Sequence, residues 1–184
     1  MPYKFTSLNY ITLGLYMNKI LFLLSFPIVF LFSKEPTLGI LESIVTNTEQ
    51  IFIIGQQRYK CTAYGILGVE KLLKSPKLNT ACKKEIESFY AKYPQVKEFI
   101  HKKLKRSQMY HIEFKKRECL LFASGEITLS ELLLKEGLAL LDPMFEDKEY
   151  LRYFRDAQGV AKFEKRGIWK DAIVRDCAAE LYAK

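Results

Sequence analysis

Histidine is scarce in this 184-residue chain: there are two, His101 and His111, and neither stands near a cysteine. None of the four cysteines, Cys61, Cys82, Cys119 and Cys177, belongs to a Cys-x-x-Cys pair. These absences exclude zinc-finger and thioredoxin-type redox motifs. Proline and glycine are also sparse, at six and nine residues, which rules out a collagen-like or Pro/Gly-rich disordered chain. No internal repeat or low-complexity tract occurs. Acidic residues are missing altogether before Glu35, and Lys4 and Lys19 are the only charged side chains before Lys34.

What is present is enough apolar material for one core and too little chain for two comfortable domains: 49% of residues are hydrophobic and 14% aromatic, against 27% charged. The formal net charge of +8 and the pI near 9.2 suit a polyanionic partner, nucleic acid or anionic lipid, without requiring one. Residues 20–32 form an apolar run broken only by Ser25 and Pro27, and Met17-Asn18-Lys19 stands directly before it as a short basic leader. A bilayer-spanning helix needs roughly 20 apolar residues. A secretory signal needs about 7 to 15 behind a positive start. Residues 1–33 therefore read as an export signal, with Met17 as the true start, and the product as periplasmic or secreted. The alternative reading adds residues 11–16 and makes the segment an uncleaved membrane anchor, the one membrane contact expected. A chain beginning at Lys34 keeps 27 basic and 21 acidic residues, a net charge of +6. All four cysteines follow the signal; an even number in an exported chain permits two disulfides in any of three connectivities, and buried thiols are the equal alternative.

Between residues 38 and 64 the chain reads as three strands, 39–45, 50–54 and 58–64, with Gly55 at the tip of a hairpin. Residues 71–108 change to a helical period: Ile86, Phe89 and Tyr90 share one face, and Val96, Phe99, Ile100 and Leu104 share another, predicting two helices broken near Pro94. The second exposes Lys97, His101, Lys102, Lys103, Lys105 and Arg106. Strand character returns at 109–114 and 117–123. Thr128 and Glu131 then form a capping box that opens a helix stopped by Gly137. A last amphipathic helix over 147–166 turns Tyr150, Leu151, Phe154, Ala157 and Ala161 inward, ends at Gly167 and is followed by Ile168-Trp169 as an apolar plug. Three strands, helix, two strands, then helices predict an α+β fold: a five-stranded OB-fold Greek-key barrel with supporting helices.

Three stretches carry a family resemblance. Residues 125–139, with Leu129-Ser130-Glu131 and Lys135-Glu136-Gly137-Leu138-Ala139, are similar to the second-helix segment of staphylococcal nuclease-like (thermonuclease, TNase-like) domains. Arg155-Asp156-Ala157-Gln158, Ala161-Lys162 and Glu164-Lys165-Arg166-Gly167-Ile168-Trp169 look like that family's third helix and its Ile-Trp plug. Residues 40–55 resemble its first hairpin. The likeness covers about residues 38–171 of a 34–184 domain, with 71–92 as an extra helical insertion. It implies a phosphodiesterase: a Ca²⁺ held by two carboxylates, a Glu that activates water, and two arginines around the phosphorane. Such groups act by neutralising charge that grows in the transition state.

This chain matches few of those slots. Arg117 fills the second arginine position. Cys61 stands in the first, and Arg58, three residues earlier, points to the opposite face of a regular strand. Val45-Thr46-Asn47 replaces the family's Asp-Gly-Asp turn, leaving the Asn47 amide in a ligand position. Glu70 takes the water-activating position after a one-residue slip, with no aspartate before it. The resemblance thus implies a domain that no longer hydrolyses and acts instead as a binding or assembly module for nucleic acid or an envelope protein, with no metal or small-molecule cofactor. An active DNA/RNA nuclease using Ca²⁺ and a displaced site of Glu70, Arg117, Arg58 and His111 is the alternative. For binding, Arg58, Lys60, Lys115, Lys116 and Arg117 supply charge, and Tyr59, Tyr64, Tyr110 and Phe122 supply rings for base stacking. The resemblance also puts Cys61 and Cys119 on strands lining the old cleft, implying a disulfide between them, with Cys82 and Cys177 left as the second pair. Three simpler expectations stand beside these: Glu70 as a solvated partner of Lys71, Arg117 in a cross-strand pair with Glu113, and His111 on the solvent side.

Overall fold

The computed structural model describes residues 36–76 and 78–170. The export signal or anchor lies outside the described residues, as does Cys177. Among the described residues no helix is long and apolar enough to cross a membrane.

The fold is α+β, dominated by antiparallel strand pairing. Strands β1 (Thr37–Thr46), β2 (Glu49–Ile54), β3 (Gln57–Thr62), β5 (Met109–Lys115), β6 (Glu118–Ser124) and β7 (Ile127–Thr128) form one sheet in the order β3-β2-β1-β5-β6-β7. The first three make the expected meander: Ile40 stands opposite Ile53, and Phe52 opposite Tyr59. Beyond β3, Ala63 forms a parallel bridge to Cys119 of β6, and the Tyr64 N–H donates to the Cys119 carbonyl at 3.1 Å. A second, two-stranded sheet pairs β4 (Ile66–Gly68) with β8 (Ala139–Leu141). Neither short strand was expected, because three apolar residues show no period that separates strand from helix.

The helical insertion differs from the two helices anticipated. Helix α1 (Val69–Leu73) starts directly after β4, α2 (Thr80–Lys92) follows a break, Pro94–Val96 form a 3₁₀ turn, and α3 (Phe99–Lys103) is a little over one turn long. Pro76 falls in the break, where its missing N–H costs least, and the Asn79 side chain restarts the helix by accepting from the Cys82 N–H at 2.8 Å. Ile86, Phe89 and Tyr90 face inward as their spacing implies.

Helix α4 (Leu129–Lys135) has the full capping box: Thr128 Oγ1 accepts from the Glu131 N–H at 3.2 Å and Glu131 Oε2 from the Thr128 N–H at 2.9 Å. It ends in a Schellman motif around Gly137 at φ 67°, with the Leu138 N–H donating to the Leu133 carbonyl and the Gly137 N–H to that of Leu134. Helix α5 (Lys148–Phe163), capped by Asp147, stops three residues earlier than the sequence suggests. Lys165, not Gly167, takes its left-handed closing position at φ 52°. Gly167, also at φ 52°, then lets the chain pass against the Gly137 carbonyl, where a Cβ would collide. That passage sets Ile168 and Trp169 into a cluster with Val69, Leu72, Ile86, Phe89 and Ala161. The larger cluster fills the space between the sheet, α4 and α5, around Phe52, Ile112, Leu120, Leu133 and Phe154.

Candidate functional site

Asn47 sits in the tight connection between β1 and β2 and is 1% exposed. Every polar atom of its side chain is engaged: Nδ2 donates to the Val96 carbonyl at 2.8 Å and to Glu70 Oε1 at 3.3 Å, and Oδ1 accepts from the Ile100 N–H at 3.2 Å. The turn is held from below by Gln50, whose Nε2 donates to the Asn47 carbonyl at 3.1 Å. Asn47 thus joins the β1–β2 turn to the helical segment that follows β4.

Glu70, in the first turn of α1, is not the solvated partner of Lys71. Its Oε2 is buried without a hydrogen-bond partner among the described residues. Burial pushes its carboxyl above the usual range, against the lowering effect of bonds to backbone and to Asn47. It lines a cavity of about 410 Å³ with Val45, Thr46, Leu73, Glu87, Tyr90 and Lys97. The Tyr90 hydroxyl is held protonated far beyond its ordinary range by burial and by the Glu70 charge. Lys97 Nζ stands 5.3 Å from the Tyr90 ring centroid. Hard divalent cations need several oxygen donors with negative charge. Here the Asn47 oxygen is taken by the Ile100 N–H and burial disfavours charge on Glu70, so these two donors do not fit Ca²⁺.

Arg117 lies elsewhere. The β5–β6 connection is a two-residue turn of Lys116 and Arg117, with Lys115 opposite Glu118, so Arg117 precedes the strand and is exposed. Glu113 stands opposite Leu120 and forms its ion pair with Lys115, at 2.8 Å, rather than with Arg117. That bond is the main cause of a raised Lys115 pKa. Lys115, Lys116 and Arg117 line a second cavity, about 650 Å³, with Tyr64, Phe114 and Glu118. Tyr64 donates to Asp147 Oδ2 at 3.0 Å, and burial, followed by this bond, pushes its pKa up to about 12. Tyr59 packs on Phe114 with ring centroids 5.6 Å apart. The two cavities share no lining residue.

The remaining expected residues are dispersed. Arg58 is exposed and ion-paired with Glu42, and Lys60 pairs with Glu49 at 3.0 Å. His111 is exposed opposite Leu38. The displaced site of Glu70, Arg117, Arg58 and His111 is not assembled around one cavity. Tyr110 is no stacking platform: it is 9% exposed and its hydroxyl accepts from the Lys105 N–H at 2.7 Å. Phe122 packs against the core. Cys61 and Cys119, each 1% exposed, are joined by a disulfide with Cα atoms 5.5 Å apart. Cys82 is also disulfide-bonded. Sequence reasoning missed Val96, Ile100, Glu87, Tyr90 and Lys97 as neighbours of the Asn47 turn. Their contacts span about 50 residues of chain, and no local pattern signals them.

No protein-family model matches this chain, and no curated protein matches it either.

Proposed function

We propose that the domain is an exported, thermonuclease-like OB barrel that no longer hydrolyses phosphodiesters and serves as a binding or assembly module of the cell envelope. The observation that carries this reading is the Cys61–Cys119 disulfide. A bonded, buried sulfur stands where the resemblance requires a guanidinium, and losing a donor of that kind costs about 10² to 10⁵ in rate. The locked Asn47 amide supports it from the metal side. The Ala63–Cys119 bridge supports the barrel reading, since it brings β3 against β6 where such a barrel would close.

The cavity beside Arg117 is the place where an extended polyanion would lie. Of its cations, Lys115 is ion-paired with Glu113 and further opposed by Asp147 and Glu149, which favours a protein partner over nucleic acid. The test is incubation of the purified protein with single- and double-stranded DNA and RNA in Ca²⁺, Mg²⁺ or Mn²⁺, with and without reductant. No cleavage is expected under any condition. Metal-dependent cleavage abolished by Arg117→Ala and by Glu70→Ala would overturn the reading. A salt-titrated binding assay separates the partners, because nucleic-acid affinity falls steeply as salt rises.

A further inference from the structure

On the outer face of the β1–β5 pair, three large apolar side chains are left uncovered: Leu38 is 50%, Ile40 42% and Met109 67% exposed. They are contiguous, because Ile40 stands directly opposite Met109, with Ile53 on its other side and His111 opposite Leu38. Isolated exposed apolar residues are ordinary; a contiguous group on a flat sheet face marks a contact surface. The chain entering β5 lies along the same edge, where the Ser107 N–H donates to the Leu41 carbonyl at 2.8 Å and the Leu41 N–H to the Gln108 carbonyl at 2.9 Å. That segment brings charge of one sign: Lys102, Lys103, Lys105 and Arg106 are all exposed, and none is ion-paired among the described residues. The Arg58–Glu42 ion pair closes the patch on the side away from these cations.

We infer that this face docks on the surface of an anionic lipid bilayer, with Leu38, Ile40 and Met109 entering the headgroup boundary and Lys105 and Arg106 engaging lipid phosphates. Apolar residues flanked by unpaired cations are what an interfacial surface requires. A nucleic acid would use the cations and leave the apolar group in water. The inference is independent of whether the domain hydrolyses anything.

The test uses the full chain in nanodiscs, with methionine methyl groups labelled with ¹³C and a nitroxide on the lipid headgroups. Met109 and Met144, which is 60% exposed in the connection before α5, serve as internal comparison. In discs rich in phosphatidylglycerol, Met109 should broaden and Met144 should not. The effect should fade in pure phosphatidylcholine and at high salt. In the Lys105→Gln, Arg106→Gln double variant the docked population should fall by about fivefold for each cation removed. Equal broadening of both methyls, or none, overturns the inference. So does a lipid-free, concentration-dependent shift of Met109, which would mean a second copy of the chain, or selective perturbation of Met109 by an oligonucleotide.

Discussion

An amide can both donate and accept from within a tight turn. Asn47 donates to Val96 and Glu70 and accepts from Ile100; an aspartate there would keep the Ile100 N–H but would meet the Val96 carbonyl and the Glu70 carboxyl with no donor. Glu70 is left with one oxygen accepting from Asn47 and the other buried without a hydrogen-bond partner among the described residues. Because burial raises its pKa, the folded chain holds this proton to higher pH than the unfolded chain does. Between those two values the native state binds more protons, so stability falls as pH rises through the window, and below it no penalty exists. Glu70→Gln keeps an oxygen for Asn47 and removes the charge. It should stabilise the protein by about 1 kcal/mol at neutral pH, the difference vanishing below about pH 4, as read from urea midpoints over the pH range. That residue 47 is an amide was plain from the sequence. What the amide holds was not, since hydrogen bonds to residues 49 and 53 positions away depend on how the insertion packs.

Elements that announce their own ends were legible. The Thr128–Glu131 box and the Gly137 stop bracket α4 as their local chemistry dictates, and the alternation through residues 39–62 produced the meander with errors of a residue or two. Elements defined by distant partners were not. β4 and β8 exist because Ile66 and Leu141 face each other across 75 residues of chain, and α5 ends where Lys165, a residue with no intrinsic preference for positive φ, closes it. The contact between the two helix exits is where this scale is most sensitive. A Cβ on Gly137 would strike the Arg166 carbonyl, and its φ of 67° disfavours any side chain. Gly137→Ala should therefore cost roughly 3 kcal/mol. The loss should be visible as a lower denaturant midpoint accompanied by increased exposure of Trp169, which the Gly137–Ile168 hydrogen bond helps to seat.

Across the whole molecule, the α+β class and the strand–insertion–strand order followed from composition and period, whereas the clustering of function-bearing residues did not. Glu70 and Arg117 line separate cavities because α1 carries one against Tyr90 and Lys97 while the β5–β6 turn carries the other beside Tyr64 and Phe114. That bond spans a sequence separation of 58 residues, and the chain-entropy estimate for so long a loop is about 4 kcal/mol. The Cys61→Ser, Cys119→Ser variant should lose about 2 to 4 kcal/mol of unfolding free energy by denaturant titration, and added reductant, which also breaks the disulfide of Cys82, should lower the native protein's midpoint at least as far.

The disulfide also has a topological effect. It makes a closed covalent ring of residues 61–119, and that ring contains β4, the entire helical insertion and β5. A protease that cuts an exposed connection such as 105–108 opens the ring without dividing the molecule. The nicked protein keeps its full mass and both halves of its sheet in register, and the cut becomes apparent only after reduction, when two fragments separate.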